Sequence, residues 1–178
     1  MTGIAEYTFE ELCTVLEKGV HIGKGAARRV FDLNGYAVKI PARLKTGLRD
    51  SDFQSDLELE VYLNCPDTLK YLLCPVLNHY RVNDVLILVM PVMQTLTKDE
   101  ARTVKKFPTG KTLLEKYYSL NNLEGYQRVK QDTLSLCSMF DLAKKEFFDH
   151  ERNWGIDGRA VRYLDYGFKK LDTESEIL

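Results

Sequence analysis

An Asn-Gly pair, Asn34-Gly35, lies between two stretches of strand-forming residues, 29–33 and 36–40. Both central residues of a two-residue type I′ turn need a positive φ, and Asn-Gly adopts such angles more readily than most dipeptides. A turn of this kind between two strand-forming stretches is the strongest short-range signal for a β-hairpin. The sequence therefore predicts an antiparallel hairpin with a defined register.

The register of this hairpin decides which residues share a face. Counting outwards from a two-residue turn pairs Val30 with Lys39. Residues opposite each other on antiparallel strands point to the same side, so Lys39 lies on the face of Val30, with Ala37 one pleat along. Residues 36–39, Tyr-Ala-Val-Lys, match the V-A-I-K pattern, in which the lysine holds the α- and β-phosphates of a nucleotide. A solvated strand lysine is the alternative interpretation.

The rest of the first half combines helices with strands. A capping box of the Thr-x-x-Glu type predicts a leading helix over Thr8–Lys18, which ends before a glycine. Leu57–Asn64 is predicted to be helical. Leu72–Leu77 and Val85–Val89 are predicted to be strands, because both are short apolar runs next to turn-forming residues.

The second half is predicted to be mainly helical. Capping boxes at residues 97–100 and 112–115 mark two helix starts. A long helix is expected over Tyr126–Phe148, because apolar residues recur at intervals of three and four and neither Gly nor Pro interrupts them. Asp157-Gly158 has the turn chemistry of a second hairpin.

Length and composition are those of one globular domain. The 178 residues fall within the roughly 100–200 residues of a typical domain, and the 44% hydrophobic content is sufficient for a core. We therefore expect one α+β domain over residues 1–178. It would have an antiparallel β-sheet in about residues 1–93 and helices in about residues 94–178.

Charge and hydropathy limit the partners of the chain. Its 25 basic and 26 acidic residues give a net charge of −1, which provides no electrostatic basis for binding nucleic acid or an anionic membrane. The longest apolar run, Val85–Met93, is about half the length that spans a bilayer. We also find no secretory signal pattern and no disulfide or metal spacing among the four cysteines. These features predict a cytoplasmic protein with reduced thiols, and we expect it to be a monomer.

A glycine-containing segment precedes the hairpin. Residues 23–30, Gly-Lys-Gly-Ala-Ala-Arg-Arg-Val, match G-x-G-x-x-G-x-V except that Arg28 replaces the third glycine. Gly23 and Gly25 would let backbone N–H groups approach phosphate oxygens closely. An ordinary turn before a strand is the alternative for this segment taken alone.

Two acidic residues on the predicted helix 57–64 are candidate partners for Lys39. Glu58 and Glu60 are separated by about 200° around a helix, so only one of them faces the sheet. We expect Glu60 to form the ion pair with Lys39 and Glu58 to lie on the solvated surface.

The apolar strand that begins at Val85 runs into Pro91 and then leaves the sheet. Burial in the hydrophobic core is the alternative explanation for this apolar strand. In a nucleotide site, the exit segment with Met90, Val92 and Met93 would supply backbone groups to an adenine edge.

Three oxygen-bearing residues lie around the second hairpin. Asp149 directly follows the predicted long helix, where a carboxylate would accept a hydroxyl proton. Asn153 and Asp165 bracket the hairpin, which brings them close together. Amide and carboxylate oxygens are ligands that Mg²⁺ prefers, so this pair is a candidate metal site. For any one of these residues, capping a turn is the alternative role.

Taken in order, these features resemble the protein kinase superfamily. The resemblance covers roughly Ile22 to Phe168 and is greatest to small bacterial and bacteriophage kinase-like proteins. It depends on the order of the matches: the glycine-containing segment 23–30, Lys39, Glu60, the strand 85–93, Asp149 with Asn153, and residues 165–167, Asp-Tyr-Gly.

The resemblance implies a two-lobed fold with ATP bound between a β-rich lobe and a truncated helical lobe. It implies Mg²⁺-dependent transfer of the γ-phosphoryl group to a Ser or Thr hydroxyl of a protein. Lys39 and Glu60 would position the phosphates, Asn153 and Asp165 would hold the metal, and Asp149 would orient the nucleophile. Such a kinase would act in the cytosol of a bacterium, or of a host cell after delivery.

Two departures leave alternatives open. The H-R-D-x-x-x-x-N motif separates its aspartate and asparagine by five positions, whereas Asp149 and Asn153 are four apart and Phe148 stands at the expected position. Only ten residues follow Phe168, which leaves no room for an activation segment. A pseudokinase that binds a nucleotide or a partner, or a small-molecule phosphotransferase, is therefore the alternative to an active protein kinase.

Overall fold

The computed structural model describes residues 14, 16–24, 28–41, 54–82, 85–106, 110–158 and 160–169. Within these ranges the chain is an α+β protein with a five-stranded antiparallel sheet, a two-stranded sheet and five α-helices. It divides into two compact units. The first comprises Met1–Tyr62 and Pro75–Val92, and the second comprises Leu63–Cys74 and Met93–Leu178.

The first unit contains the five-stranded sheet, whose strand order is β1-β2-β3-β5-β4. Helix α1, Gln54–Asn64, follows β3 in the chain. The strands are β1 (Val20–Lys24), β2 (Arg28–Leu33), β3 (Tyr36–Pro41), β4 (Asn78–Val82) and β5 (Val85–Pro91).

The Asn-Gly hairpin forms with the predicted register. Asn34 and Gly35 have φ values of 55° and 83°, as a type I′ turn requires. Strands β2 and β3 pair Val30 with Lys39. The turn is further fixed by Asp32, whose Oδ1 accepts a hydrogen bond of 2.8 Å from the Gly35 N–H.

The pleat gives the two faces of this sheet different chemistry. On one face Val38, Ile40 and Ile87 pack into an apolar core with their neighbours. The opposite face carries Lys39, and it carries Ala37 and Met90 directly across from each other on β3 and β5. Leu88 lies directly opposite Lys39 on this face and is fully buried, so the face combines a buried lysine with apolar side chains.

The predicted strand over Leu72–Leu77 is wrong. Lys70–Leu72 form a 3₁₀ turn, and Leu73 makes an isolated bridge to Tyr163. Pro75 has no N–H to donate to a sheet, and β4 begins only after it. The apolar character of this segment reflects burial rather than a regular strand.

The second unit contains four helices and a hairpin. Helices α2 and α3 begin at the two predicted capping boxes, where the Thr97 hydroxyl accepts from the Glu100 N–H and the Thr112 hydroxyl accepts from the Glu115 N–H. The elements are α2 (Lys98–Lys106), α3 (Leu113–Leu120), α4 (Tyr126–Phe140), α5 (Lys144–Phe148), β6 (Trp154–Asp157) and β7 (Ala160–Tyr163).

The predicted long helix over 126–148 is two helices. Helix α4 ends where Asp141 adopts φ 54°, and α5 starts at Lys144. Aspartate is among the few residues other than glycine that enter this left-handed region readily. The break is held by a tertiary contact, because the Ala143 N–H donates to the Phe168 carbonyl at 2.9 Å.

Buried aromatic rings form the core around β6 and β7. The rings of Phe147 and Tyr163 meet edge to face, with centroids 4.7 Å apart. Trp154 is fully buried, and its Nε1–H donates to the Phe147 carbonyl at 2.8 Å.

The predicted second hairpin is confirmed, because β6 and β7 pair as antiparallel strands. Asp157 pairs with Ala160, so the turn begins one residue later than expected.

The cysteines that the structure describes are buried, as predicted. Cys65, Cys74 and Cys137 form no disulfide with one another among the described residues. Burial raises the pKa of the Cys137 thiol to about 12, which keeps it protonated at neutral pH.

Two further predictions concern the leading helix and membrane-spanning segments. The leading helix over Thr8–Lys18 falls mostly outside the described residues, of which Thr14, Leu16 and Glu17 are helical. None of the helices in the described ranges has the length and apolar character that a bilayer crossing needs.

Candidate functional site

Three charged side chains meet on the face of the five-stranded sheet that bears Lys39. The Lys39 Nζ donates to Glu58 Oε1 at 2.6 Å, and the Arg28 guanidinium donates to Glu58 Oε2. The exposed fractions of Arg28, Lys39 and Glu58 are 4%, 5% and 0%. We call these three residues the buried charge cluster. Charged side chains are almost never buried so completely unless they are paired, and here each oxygen of one carboxylate holds one cation.

Strand register and helix placement explain why these residues meet. Val30 lies opposite Lys39, and Arg28 is two residues before Val30 on the same strand. Side chains two apart on a strand share a face, so Arg28 and Lys39 lie on the same side of the hairpin. Helix α1 contributes Glu58 from its own buried side.

The prediction that Glu60 pairs with Lys39 is wrong, because Glu58 has that position and Glu60 is exposed. Helical geometry explains the difference. Leu57 and Val61 are buried but do not separate the two carboxylates, because Glu58 and Glu60 each lie about 80° from the mean direction of that pair. Ser55 is also buried and lies at about 160° from Leu57 around the helix. The buried arc therefore includes Glu58, at about 100°, and excludes Glu60, at about 300°.

The other residues predicted for a nucleotide site in this unit lie largely on the same face. Gly23 pairs with Val30 across β1 and β2, and Ala37 pairs with Met90 across β3 and β5. Residues that pair directly share a face. Gly23 belongs to β1 and not to a loop, and Gly25 lies outside the described residues.

The exit from β5 is only partly available to a ligand. The Val92 N–H donates to the Gly35 carbonyl at 3.2 Å, so it is already used within the sheet. The Val92 side chain is exposed, whereas Met93 belongs to the second unit. A base that bonds to the Val92 N–H would have to displace Gly35.

Met93 packs against a glycine of the second unit. A Cβ at Gly155 would lie 2.7 Å from both Met93 Cβ and Leu164 Cδ2, closer than such atoms approach. The Gln94 carbonyl accepts from the Ile156 N–H at 2.7 Å, which holds the segment beside β6. Met93 therefore has a packing role that the sequence does not reveal.

Gly155→Ala is expected to lower the free energy of unfolding by about 1–3 kcal/mol, because the new methyl group overpacks the Met93 contact. Gly23→Ala is the matched control. Its Cβ would lie 3.5 Å from Val30 Cβ, an ordinary contact. We expect this control to change stability by less than about 1 kcal/mol. Urea denaturation followed by circular dichroism measures both, and equal losses would contradict the packing argument.

The two residues predicted to bind metal are near each other along the backbone of the second unit. The Leu164 N–H donates to the Asn153 carbonyl at 2.6 Å, and Asp165 directly follows Leu164. Asn153 and Asp165 are both half-buried. The Asn153 Nδ2–H₂ group donates to Glu146 Oε2 at 3.1 Å, so the amide nitrogen is held by a carboxylate.

Asp149 has a structural contact that the sequence did not predict. Its Oδ1 accepts from the Leu113 N–H at 3.1 Å, at the amino end of helix α3. A carboxylate at this position satisfies a helix N–H and interacts favourably with the helix dipole.

Asn153 and Asp165 offer oxygen ligands of the kinds that a divalent cation binds. Among the residues that the structure describes, no three or more His, Cys, Asp or Glu side chains come together as a metal site. Asn153 and Asp165 provide one amide and one carboxylate. This set fits Mg²⁺, which is commonly bound by one or two carboxylates together with substrate phosphates and water.

Sequence reasoning missed three polar residues of these groups. Arg28 was treated only as a substitution in a glycine pattern, Glu58 as a surface residue, and Glu146 not at all. Glu146 Oε2 also lies 3.2 Å from His150 Nδ1. The helix positions of Leu57 and Val61 do not distinguish Glu58 from Glu60, and nothing local pointed to Glu146.

No model of a known protein family matches the chain, and no curated protein matches it.

Proposed function

We propose that this chain is a kinase-like protein with a two-lobed fold, which binds ATP with Mg²⁺ and transfers the γ-phosphoryl group to a Ser or Thr hydroxyl of a protein. The observation that carries the proposal is the ion pair between Lys39 and Glu58. This pair lies on the sheet face that also bears Val30, Ala37 and Met90. An apolar surface next to a held ammonium suits a nucleotide, because the base needs the former and the phosphates the latter.

The lysine would bind the α- and β-phosphates. Glu58 fixes the direction of the Lys39 ammonium, so little orientation entropy remains to be lost when phosphate binds. Both groups are almost fully shielded from water, which strengthens their electrostatic interactions. The same arrangement would serve binding without catalysis.

The second unit would contribute the groups for transfer. Asn153 and Asp165 would hold Mg²⁺, which when bound neutralises charge on the phosphates. Asp149 would orient the acceptor hydroxyl and take its proton. A carboxylate has about four acceptor positions, so the bond to the Leu113 N–H is compatible with this role.

A pseudokinase is the second candidate, and the position of Asp149 favours it. The carboxylate that would act as base already caps α3, and Phe148 stands one position earlier, where the motif expects aspartate. In this function the nucleotide would bind and a protein partner would be recognised, without phosphoryl transfer.

Binding and transfer experiments separate these functions. The wild-type chain, Asp165→Ala and Asp67→Ala are each incubated with γ-labelled ATP, Mg²⁺ and a cell lysate, and ATP affinity is measured in parallel by calorimetry. We expect labelled protein with the wild type and with the control Asp67→Ala, whose side chain is 95% exposed. Asp165→Ala should give no labelled protein.

Each other outcome has a defined meaning. ATP binding with no labelled product identifies the pseudokinase function. Label recovered in small molecules identifies a small-molecule phosphotransferase. A chain that binds no ATP, or an Asp165→Ala variant that transfers as much label as the wild type, refutes the proposed function.

A further inference from the structure

Glu146 is a residue of the second unit for which the proposed function gives no role. It lies in the first turn of α5, and its side chain is 22% exposed. Its Oε2 accepts a hydrogen bond of 3.1 Å from the Asn153 amide nitrogen. The same nitrogen donates to the Glu146 backbone carbonyl at 3.3 Å. The Asn153 amide is therefore held by two acceptors of one residue, seven positions earlier in the chain.

The chemistry of a carboxylate decides which end of the amide faces Glu146. An ionised carboxylate only accepts hydrogen bonds, whereas an amide has a donor nitrogen and an acceptor oxygen. The nitrogen must face Glu146, since the oxygen would meet a second acceptor there. Turning the nitrogen towards Glu146 turns the oxygen away, because both atoms are attached to the same planar carbon. Among the described residues, the hydrogen bonds of the Asn153 side chain are all made by its nitrogen.

The backbone of Asn153 is held as well. Its N–H donates to the His150 carbonyl at 2.9 Å, and its own carbonyl accepts from the Leu164 N–H at 2.6 Å. With the main chain fixed on both sides, the remaining freedom of Asn153 is rotation of its side chain. The bonds from Nδ2 to Glu146 restrict that rotation. The amide oxygen therefore has one preferred orientation before any ligand binds, which lowers the entropy lost on binding.

We propose that Glu146 is a positioning residue, which orients the Asn153 amide so that its oxygen is available to a divalent cation. The inference rests on the metal role that the proposed function gives to Asn153, and it adds the group that supports this ligand. Residues behind a metal ligand fix the orientation of that ligand, and losing them commonly lowers metal affinity by about tenfold to a hundredfold. In this role Glu146 acts through Asn153 rather than as a ligand.

Two structural roles of Glu146 have to be separated from this one. An acidic residue in the first turn of α5 interacts favourably with the helix dipole. His150 Nδ1 also lies 3.2 Å from Glu146 Oε2, in an i,i+4 pair whose histidine is 47% exposed. Neither role passes through the Asn153 amide. A double-mutant cycle distinguishes them from positioning, because residues that act through each other give losses that do not add.

The test measures the affinity for Mn²⁺, a spectroscopic substitute for Mg²⁺, by electron paramagnetic resonance of the free ion. The proteins are the wild type, Glu146→Ala, Asn153→Ala, the double variant and the control Glu124→Ala, whose side chain is exposed. We expect Glu146→Ala to weaken Mn²⁺ binding by about tenfold. The double variant should bind as weakly as Asn153→Ala, within about twofold. Glu124→Ala should stay within about twofold of the wild type.

The inference and the proposed function can fail separately. An unchanged Mn²⁺ affinity in Glu146→Ala, or losses that add in the double variant, overturns the inference and leaves the proposed function in place. If the wild type binds no Mn²⁺, the inference is refuted together with the metal role of Asn153. If Mn²⁺ binds in a Glu146-dependent way but ATP does not bind, the proposed function fails and the positioning role stands.

Glu146→Gln is used if Glu146→Ala does not fold, because it keeps the side-chain length and an acceptor oxygen but loses the charge. Nuclear magnetic resonance follows the side-chain amide signals of Asn153 and of Asn122, an exposed asparagine that serves as internal control. A neutral acceptor holds the amide less strongly than a charged one. We therefore expect the Asn153 signals to shift in Glu146→Gln, and to broaden less than in the wild type at equal Mn²⁺ concentration. An equal response to Mn²⁺ in both proteins overturns the inference.

Discussion

Glu58→Gln is expected to lower the free energy of unfolding by about 3–5 kcal/mol, because it leaves two buried cations without their shared carboxylate. Folded domains are stable by only about 5–15 kcal/mol, so this variant would lose a large share of its stability. Urea denaturation at pH 7, followed by circular dichroism, measures the loss. A shift of the midpoint at constant slope would show that the native state itself is destabilised.

Glu60→Gln is the matched control, since it makes the same chemical change two residues away on an exposed side of α1. We expect it to change the free energy of unfolding by less than about 0.5 kcal/mol. Similar losses in the two variants would contradict the assignment of Glu58 as the buried partner of Lys39. ATP binding by Glu60→Gln should remain at the wild-type level.

Trp154→Ala is expected to lower the free energy of unfolding by about 3–5 kcal/mol, the usual cost of removing a fully buried aromatic side chain. Two effects contribute to this loss. Removing the indole leaves a cavity beside the Tyr117 ring, whose centroid is 6.3 Å from that of the Trp154 ring. The Phe147 carbonyl also loses the Nε1–H group that donates to it. Thermal and urea unfolding of the purified variant measure the total.

Two further variants separate these effects. Trp154→Phe keeps an aromatic ring but removes the donor, and should cost about 1–3 kcal/mol. Met139→Ala removes a long side chain that is 53% exposed on α4, and should cost less than about 0.5 kcal/mol. A Trp154→Ala variant as stable as Met139→Ala would show that the ring is not part of the core.

Features set by neighbouring residues could be predicted from the sequence. Asn34 and Gly35 determine their own backbone angles, and the pairing of Val30 with Lys39 follows from the turn by counting. The capping boxes were predicted for the same reason. In each case the residues that make the contact are few positions apart.

Features set by distant contacts were not predicted. The break in the helix over 126–148 depends on a bond between Ala143 and Phe168, and Asp141 gives only a weak local signal for it. Likewise, 36 residues separate Leu113 from Asp149 in the sequence, and only the folded chain shows that one caps the helix of the other.

The residues of the candidate site show the same difference between local and distant contacts. Lys39 was placed correctly because strand register is local. Leu57 and Val61 are equally distant in helix angle from Glu58 and Glu60, and the burial of Ser55, which separates the two carboxylates, is visible only in the folded chain. The contact between Arg28 and Glu58 depends on how α1 packs against the sheet, and no short sequence motif predicts that packing.

The bond between Asp149 and the Leu113 N–H also limits how this chain can be engineered. Inserting one residue after Asp149 would restore the usual motif spacing, but it would leave the carboxylate fastened to the start of α3. Moving the carboxylate away from that N–H would require a second change that gives the helix another cap, such as an acidic residue supplied from α3 itself. Lengthening the loop and re-anchoring the helix are thus coupled steps, because the same carboxylate belongs to both.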